Sequence, residues 1–120
     1  MMLDLSGKKI YLAAGATDMR ANIDRLAAVI QSCFNLTPTS SDAIFVFCNN
    51  DRNKLKILEW DGNGFWLHYK RLEKGRFPWP TSSGNEKTMI VGIRELEYML
   101  SGSKLKMRFD RIVFTGRLVS

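Results

Sequence analysis

Hydrophobic positions along this chain repeat with two periods, and the switches between them mark out the elements. Lys9-Ile10-Tyr11-Leu12-Ala13-Ala14 is a short apolar run ended by Gly15, which predicts a buried strand. Met19, Ile23, Leu26, Ile30 and Cys33/Phe34 then recur at helical spacing, with Arg20, Asn22, Asp24 and Arg25 on the other faces. That pattern predicts an amphipathic helix over 18–34, about four turns long. Thr17 is its expected N-cap, Arg20 and Asp24 are an i,i+4 pair, and Asn35 followed by Pro38 is the stop.

Beyond the polar loop 37–42, Ala43-Ile44-Phe45-Val46-Phe47-Cys48 is continuous rather than alternating. A run of that kind predicts a central strand covered on both faces. Lys54–Trp60 and Phe65–Leu72 are two further strands joined by Asp61-Gly62-Asn63-Gly64, a strong hairpin signal. Residues 81–87 are a polar loop, and Thr88–Val91 is a short strand. Ile93, Leu96, Tyr98, Met99 and Leu100 predict a second, shorter helix closed by Gly102. The simplest assembly is one α+β domain with a small sheet of three to five strands, mostly antiparallel or mixed, and two helices. The stretch from Ser103 alternates basic and apolar residues and reads as an extra strand or a partly disordered extension.

Composition changes this picture little. A chain of 120 residues fits one domain with a real core, and the net charge of +6 favours weak attraction to polyanions without fixing a function. The start, Met1-Met2-Leu3-Asp4-Leu5-Ser6-Gly7, is acidic and lacks the apolar centre of a signal peptide, so a cytoplasmic protein is expected. Cys33 and Cys48 sit in apolar contexts and read as unpaired buried thiols.

Candidate chemistry is sparse. His68 is the only histidine, two cysteines make no metal motif, and the glycines form neither a P-loop nor a dinucleotide fingerprint. Asp18 at a helix start and Asp61 at a turn have structural explanations, while Glu59 and Glu73 lie beside cations. No catalytic residue, metal site or cofactor is therefore assigned, and a metal-dependent nuclease is the weakest of the functional readings.

The hairpin is more suggestive. A type I turn with a bulge at Gly64 would set Trp60 opposite Trp66, Leu58 by His68 and Lys56 by Lys70. One face would then carry Lys54, Lys56, Trp60, Trp66, His68 and Lys70, a basic aromatic surface suited to nucleic acid; a one-residue slip would scatter the set. Lys70, Arg71, Lys74 and Arg76 place four cations within seven residues, directly before Phe77-Pro78-Trp79-Pro80. The prolines make that tetrapeptide stiff and extended. The cations suit phosphate contacts or a solvated turn. Phe77 and Trp79 suit anchors within the domain or on a protein partner.

Three blocks carry a resemblance: Gly15-Ala16-Thr17-Asp18-Met19-Arg20, Trp60-Asp61-Gly62-Asn63-Gly64-Phe65, and Tyr69-Lys70-Arg71-Leu72-Glu73-Lys74-Gly75-Arg76-Phe77-Pro78-Trp79-Pro80. In order and spacing the chain resembles the TnpB accessory proteins of the IS66 family of bacterial insertion sequences, from about Lys8 to Gly102. The resemblance implies an accessory-protein domain over 1–102, and the chain departs from the family pattern in a basic extension over 103–120. It also implies a non-enzymatic role in DNA transposition beside a separate transposase and another accessory protein. It supplies no catalytic residues. Two readings follow: weak DNA binding through Lys54, Lys56, Lys70, Arg71, Lys74 and Arg76, or an adaptor docking on the transposase through Phe77 and Trp79.

Overall fold

The computed structural model describes residues 5–82 and 84–102. The elements are β1 (Lys9–Ala13), α1 (Ile23–Ser32), β2 (Ala43–Cys48), β3 (Lys54–Trp60), β4 (Phe65–Arg71), β5 (Thr88–Val91) and α2 (Ile93–Ser101). The strands form one mixed sheet in the order β4-β3-β2-β1-β5. β1 and β2 are parallel, as the intervening helix requires, and every other pairing is antiparallel. The α+β domain predicted from the sequence is thus present, with the sheet mixed and five strands wide. The C-terminal stretch from Ser103 lies outside the described residues.

The helices lie on opposite faces of the sheet, and the unbroken apolar run of β2 follows from that. Its six residues are all buried, and by alternation they feed two cores. Ala43, Phe45 and Phe47 join Leu26 and Ile30 of α1, together with Leu58. Ile44, Val46 and Cys48 join Leu96 and Met99 of α2, together with Ile10, Leu12, Leu55, Ile57 and Phe77.

Helix α1 begins later than its apolar periodicity predicts. Its N-cap is Asn22, whose Oδ1 accepts the Arg25 amide at 2.9 Å. Residues 18–21 are held otherwise: Asp18 accepts the Arg20 amide at 2.9 Å, and the Ala21 amide donates to the Asp18 carbonyl. Lys56 from β3 then takes the carbonyls of Met19 and Ala21, at 2.8 and 3.0 Å. A first helical turn would need the Met19 carbonyl for its own ladder, so these side-chain bonds displace the start to Ile23. Arg20 accordingly pairs with Asp18 rather than Asp24. At the other end Asn35, at φ 57°, turns the chain, and the Leu36 amide reaches back to the Ile30 carbonyl. Helix α2 ends as predicted at Gly102, φ 58°, where an added Cβ would lie 3.0 Å from Leu72.

The hairpin register differs by one residue from the predicted one. Gly62, at φ 105°, carries the positive φ, and the Asp61 amide donates to the Gly64 carbonyl at 3.0 Å. With no bulge at Gly64, Trp60 faces Phe65, Glu59 faces Trp66, Ile57 faces His68 and Lys56 faces Tyr69. The predicted basic aromatic face is therefore divided. Lys54, Lys56 and Trp60 share the α1 side with Phe65, Leu67, Tyr69 and Arg71, while Trp66, His68 and Lys70 lie on the α2 side with Leu55, Ile57 and Glu59. Trp60 packs edge-on against Phe65, centroids 5.0 Å apart.

Glu59 is the one charged residue buried among those described, and it is fully occupied. Its Oε2 lies 2.9 Å from Lys8 Nζ and its Oε1 lies 2.9 Å from His68 Nε2. Removing a carboxylate of this kind leaves partners stranded in a low-dielectric setting. Glu59→Ala is expected to cost about 3 kcal/mol of unfolding free energy, read as a fall in urea midpoint at unchanged slope.

Candidate nucleic-acid interface

At one end of the sheet lie the carboxyl ends of β1, β2 and β4 and the amino end of β3, as the registers Leu12–Val46, Cys48–Leu55 and Lys54–Arg71 require. The segment after β4 is stitched across this end. The Leu72 amide donates to the Asn53 carbonyl at 2.8 Å, and the Phe77 amide to the Arg52 carbonyl at 2.6 Å. Because those carbonyls belong to adjacent residues, Glu73-Lys74-Gly75-Arg76 is pinched outward as an exposed loop, with Gly75 at φ 81°. Phe77 plunges into the α2-side core at 2 % exposure. Trp79 Nε1 then donates to the Ala13 carbonyl at 3.2 Å, and the Arg52 guanidinium covers the Trp79 ring at 5.4 Å.

The six cations singled out from the sequence fall into distinct settings. Lys54 and Arg71 stand directly opposite each other at this end, on the α1 side. Arg71 Nε pairs with Glu73 at 2.9 Å, yet both side chains remain largely exposed. Lys74 and Arg76 ride on the exposed loop. Lys56 is committed to the carbonyls of Met19 and Ala21. Lys70 points to the other face and bonds the Leu100 carbonyl at the end of α2, where a cation suits the helix dipole. Of the two residues considered as partner anchors, Phe77 is sealed in its own core and Trp79 is half-buried beneath Arg52.

The loop before α1 borders the same end, because the Thr17 amide donates to the Cys48 carbonyl at 2.8 Å. Asp18, Arg20, Ala21, Asn22 and Arg25 line an open cleft there. The hydrogen bonds from Arg20 hold the Asp18 carboxyl down at about 2, well below its ordinary 3.8. Burial pushes the Cys48 thiol up, partly offset by the adjacent Arg52. Both cysteines are free, but only Cys48 is buried; Cys33 is exposed at the C-cap of α1. Among the described residues no three His, Cys, Asp or Glu side chains gather as a metal site would need, and no helix is long and apolar enough to cross a membrane.

Arg52 and Tyr69 are the functional candidates that sequence reasoning passed over. Arg52 sits in an Asn-Asn-Asp-Arg turn at φ 59°, which gave no sign that its carbonyl and guanidinium clamp the Phe-Pro-Trp-Pro segment. Tyr69, on the strand before the basic loop, is 53 % exposed.

A mixed sheet flanked by one helix per face, with a basic loop and aromatic strap at one end, defines a small α+β scaffold. The chain belongs to the family described as IS66 Orf2 like protein, which it matches over residues 8–109. Membership implies an accessory role in the transposition of an insertion sequence. Two relatives come from Sinorhizobium fredii (strain NBRC 101917 / NGR234). Uncharacterized protein y4hO is 36 % identical over 94 residues, covering 78 % of this chain and 79 % of the relative. Uncharacterized protein y4jC is 35 % identical over 74 residues, 62 % of each chain. No solved structure matches the chain.

The Asp18 clasp gives a measurable pH signature. Since its folded pKa is depressed, its contribution is complete above the unfolded value of 3.8 and is lost as pH falls through about 2. In a carboxyl carbon NMR titration Asp18 should titrate near 2, and Arg20→Ala should return it towards 3.8.

Proposed function

We propose that this protein is a non-enzymatic transposition factor that holds DNA on the pinched loop and the adjoining basic row. Lys54, Arg71, Lys74 and Arg76 supply the phosphate contacts. The observation that carries this reading is the gathering of those four side chains at one end of the sheet, on backbone anchored by the buried Phe77. A rigid mount matters because cations on a floppy loop lose their ordering entropy on every contact. Arg20 adds a fifth cation nearby through the Lys56 bonds to its two neighbours. Asp18 and Glu73 partly neutralise the set, which fits modest affinity. Phe77 and Trp79 enter this account as the mount of the loop.

The adaptor reading keeps one observation in its favour. Ile90, 52 % exposed, and Ile93, 40 % exposed, present apolar surface at the β5–α2 corner, away from the basic end. A contact with the transposase or the second accessory protein of the element would fall there.

Binding of a fluorescent duplex from the end of the element, followed by anisotropy between 50 and 200 mM salt, separates the two. Four phosphate contacts predict a log–log slope of roughly 3.6, and Lys74→Glu with Arg76→Glu should lower it by about 1.8. Binding that ignores both salt and these substitutions would sink the DNA reading and leave the β5–α2 corner as the working surface.

A further inference from the structure

The row Phe65, Leu67, Tyr69, Arg71 on the α1 side of β4 passes from covered to uncovered. Phe65 and Leu67 pack against the α1 core, but Tyr69 is not part of it and is 53 % exposed. An exposed aromatic ring forgoes the free energy that burying its apolar surface would gain. Trp66, the other exposed ring of the hairpin, is accounted for on the opposite face. Its Nε1 donates to Asp61 Oδ2 at 2.6 Å, and its ring stacks on His68.

Tyr69 is instead surrounded by positive charge. Lys56, its direct cross-strand neighbour, places Nζ 5.6 Å from the ring centroid. That ammonium is fixed by the Met19 and Ala21 carbonyls, so the ring rests against a stationary cation. Arg71 lies two residues along the same strand and Lys54 diagonally across. The result is an open aromatic ring bordered by cations on a rigid sheet, at the end where the basic loop also emerges.

We propose that Tyr69 is a base-stacking platform and that the preferred ligand of this surface is single-stranded DNA. The proposal rests on the DNA reading above and specifies its substrate. Phosphate-binding cations alone do not distinguish strands from duplexes. A stacking ring does, because in a duplex the base faces are covered by their neighbours, whereas an unpaired strand offers them. One unpaired base lies on Tyr69 while its flanking phosphates reach Lys54 and Arg71.

The test uses the full chain with a fluorescein-labelled 20-nucleotide oligo-dT strand and a 20-base-pair duplex of mixed sequence, both read by anisotropy at one salt concentration. The expected result is tighter binding of the single strand. Tyr69→Ala should weaken that binding by about tenfold while leaving the duplex unchanged, and Tyr69→Phe should keep it. Being exposed, the position tolerates both substitutions, and circular dichroism checks each variant. Equal affinity for both ligands, or a single strand indifferent to Tyr69→Ala while Lys74→Glu weakens both, overturns the platform and leaves DNA binding standing. No binding of either ligand overturns both.

Discussion

A chain that leaves the sheet at β4 and re-enters it at β5 has to cross the ends of three intervening strands, because those two strands are its opposite edges. Such a crossing exposes polar backbone unless each stretch finds a partner. Here the Leu72 and Phe77 amides find the carbonyls of Asn53 and Arg52, and the Trp79 indole then ties the segment to the Ala13 carbonyl of β1. Phe77, driven into the core between the second and third of these, fixes the crossing apolarly. Pro78 and Pro80 keep the segment extended and lack the amide protons that the crossing would otherwise have to satisfy. The longest signature block of the sequence is thus one solution to a demand that the topology makes.

The fold was legible because its determinants are local or periodic. The unbroken β-branched and aromatic run of β2 reads as a strand with both faces covered, and Gly102 reads as a left-handed helix stop. What escaped was set by contacts distant in sequence. Lys56 takes two carbonyls more than thirty residues away, and those bonds remove a turn from the start of α1. No periodicity argument within 18–34 contains that information. The hairpin register turned on which glycine of Asp-Gly-Asn-Gly adopts positive φ, a choice both Gly62 and Gly64 permit on local grounds. Strand side chains alternate, so that single choice parted Lys56 from Lys70 and set Tyr69 opposite Lys56.

For the candidate site, sequence located the charges but not their obligations. Lys56 and Lys70 look the same in the sequence as Lys54 and Lys74, yet each already satisfies backbone carbonyls of its own protein. A cation so engaged must give up good hydrogen bonds before it can meet a phosphate, and that exchange returns little net free energy. Lys74 and Arg76 are exposed at the tip of the loop, and among the described residues neither side chain is tied to a backbone carbonyl.

These constraints bear on why the chain would retain a stiff strap under a basic loop. Topology alone asks for a crossing, and a featureless polar one would serve. It does not ask that Leu72 and Phe77 be tied to adjacent carbonyls, which forces the four residues between them outward. Nor does it ask that the extruded residues include Lys74 and Arg76, or that Arg71 and Lys54 stand at the root of the loop. Extruding like charges together is electrostatically unfavourable in the free protein and is relieved when a polyanion lies across them. The strap therefore does two things with one segment. Its apolar half closes the end of the sheet, and its basic half is extruded from that same end.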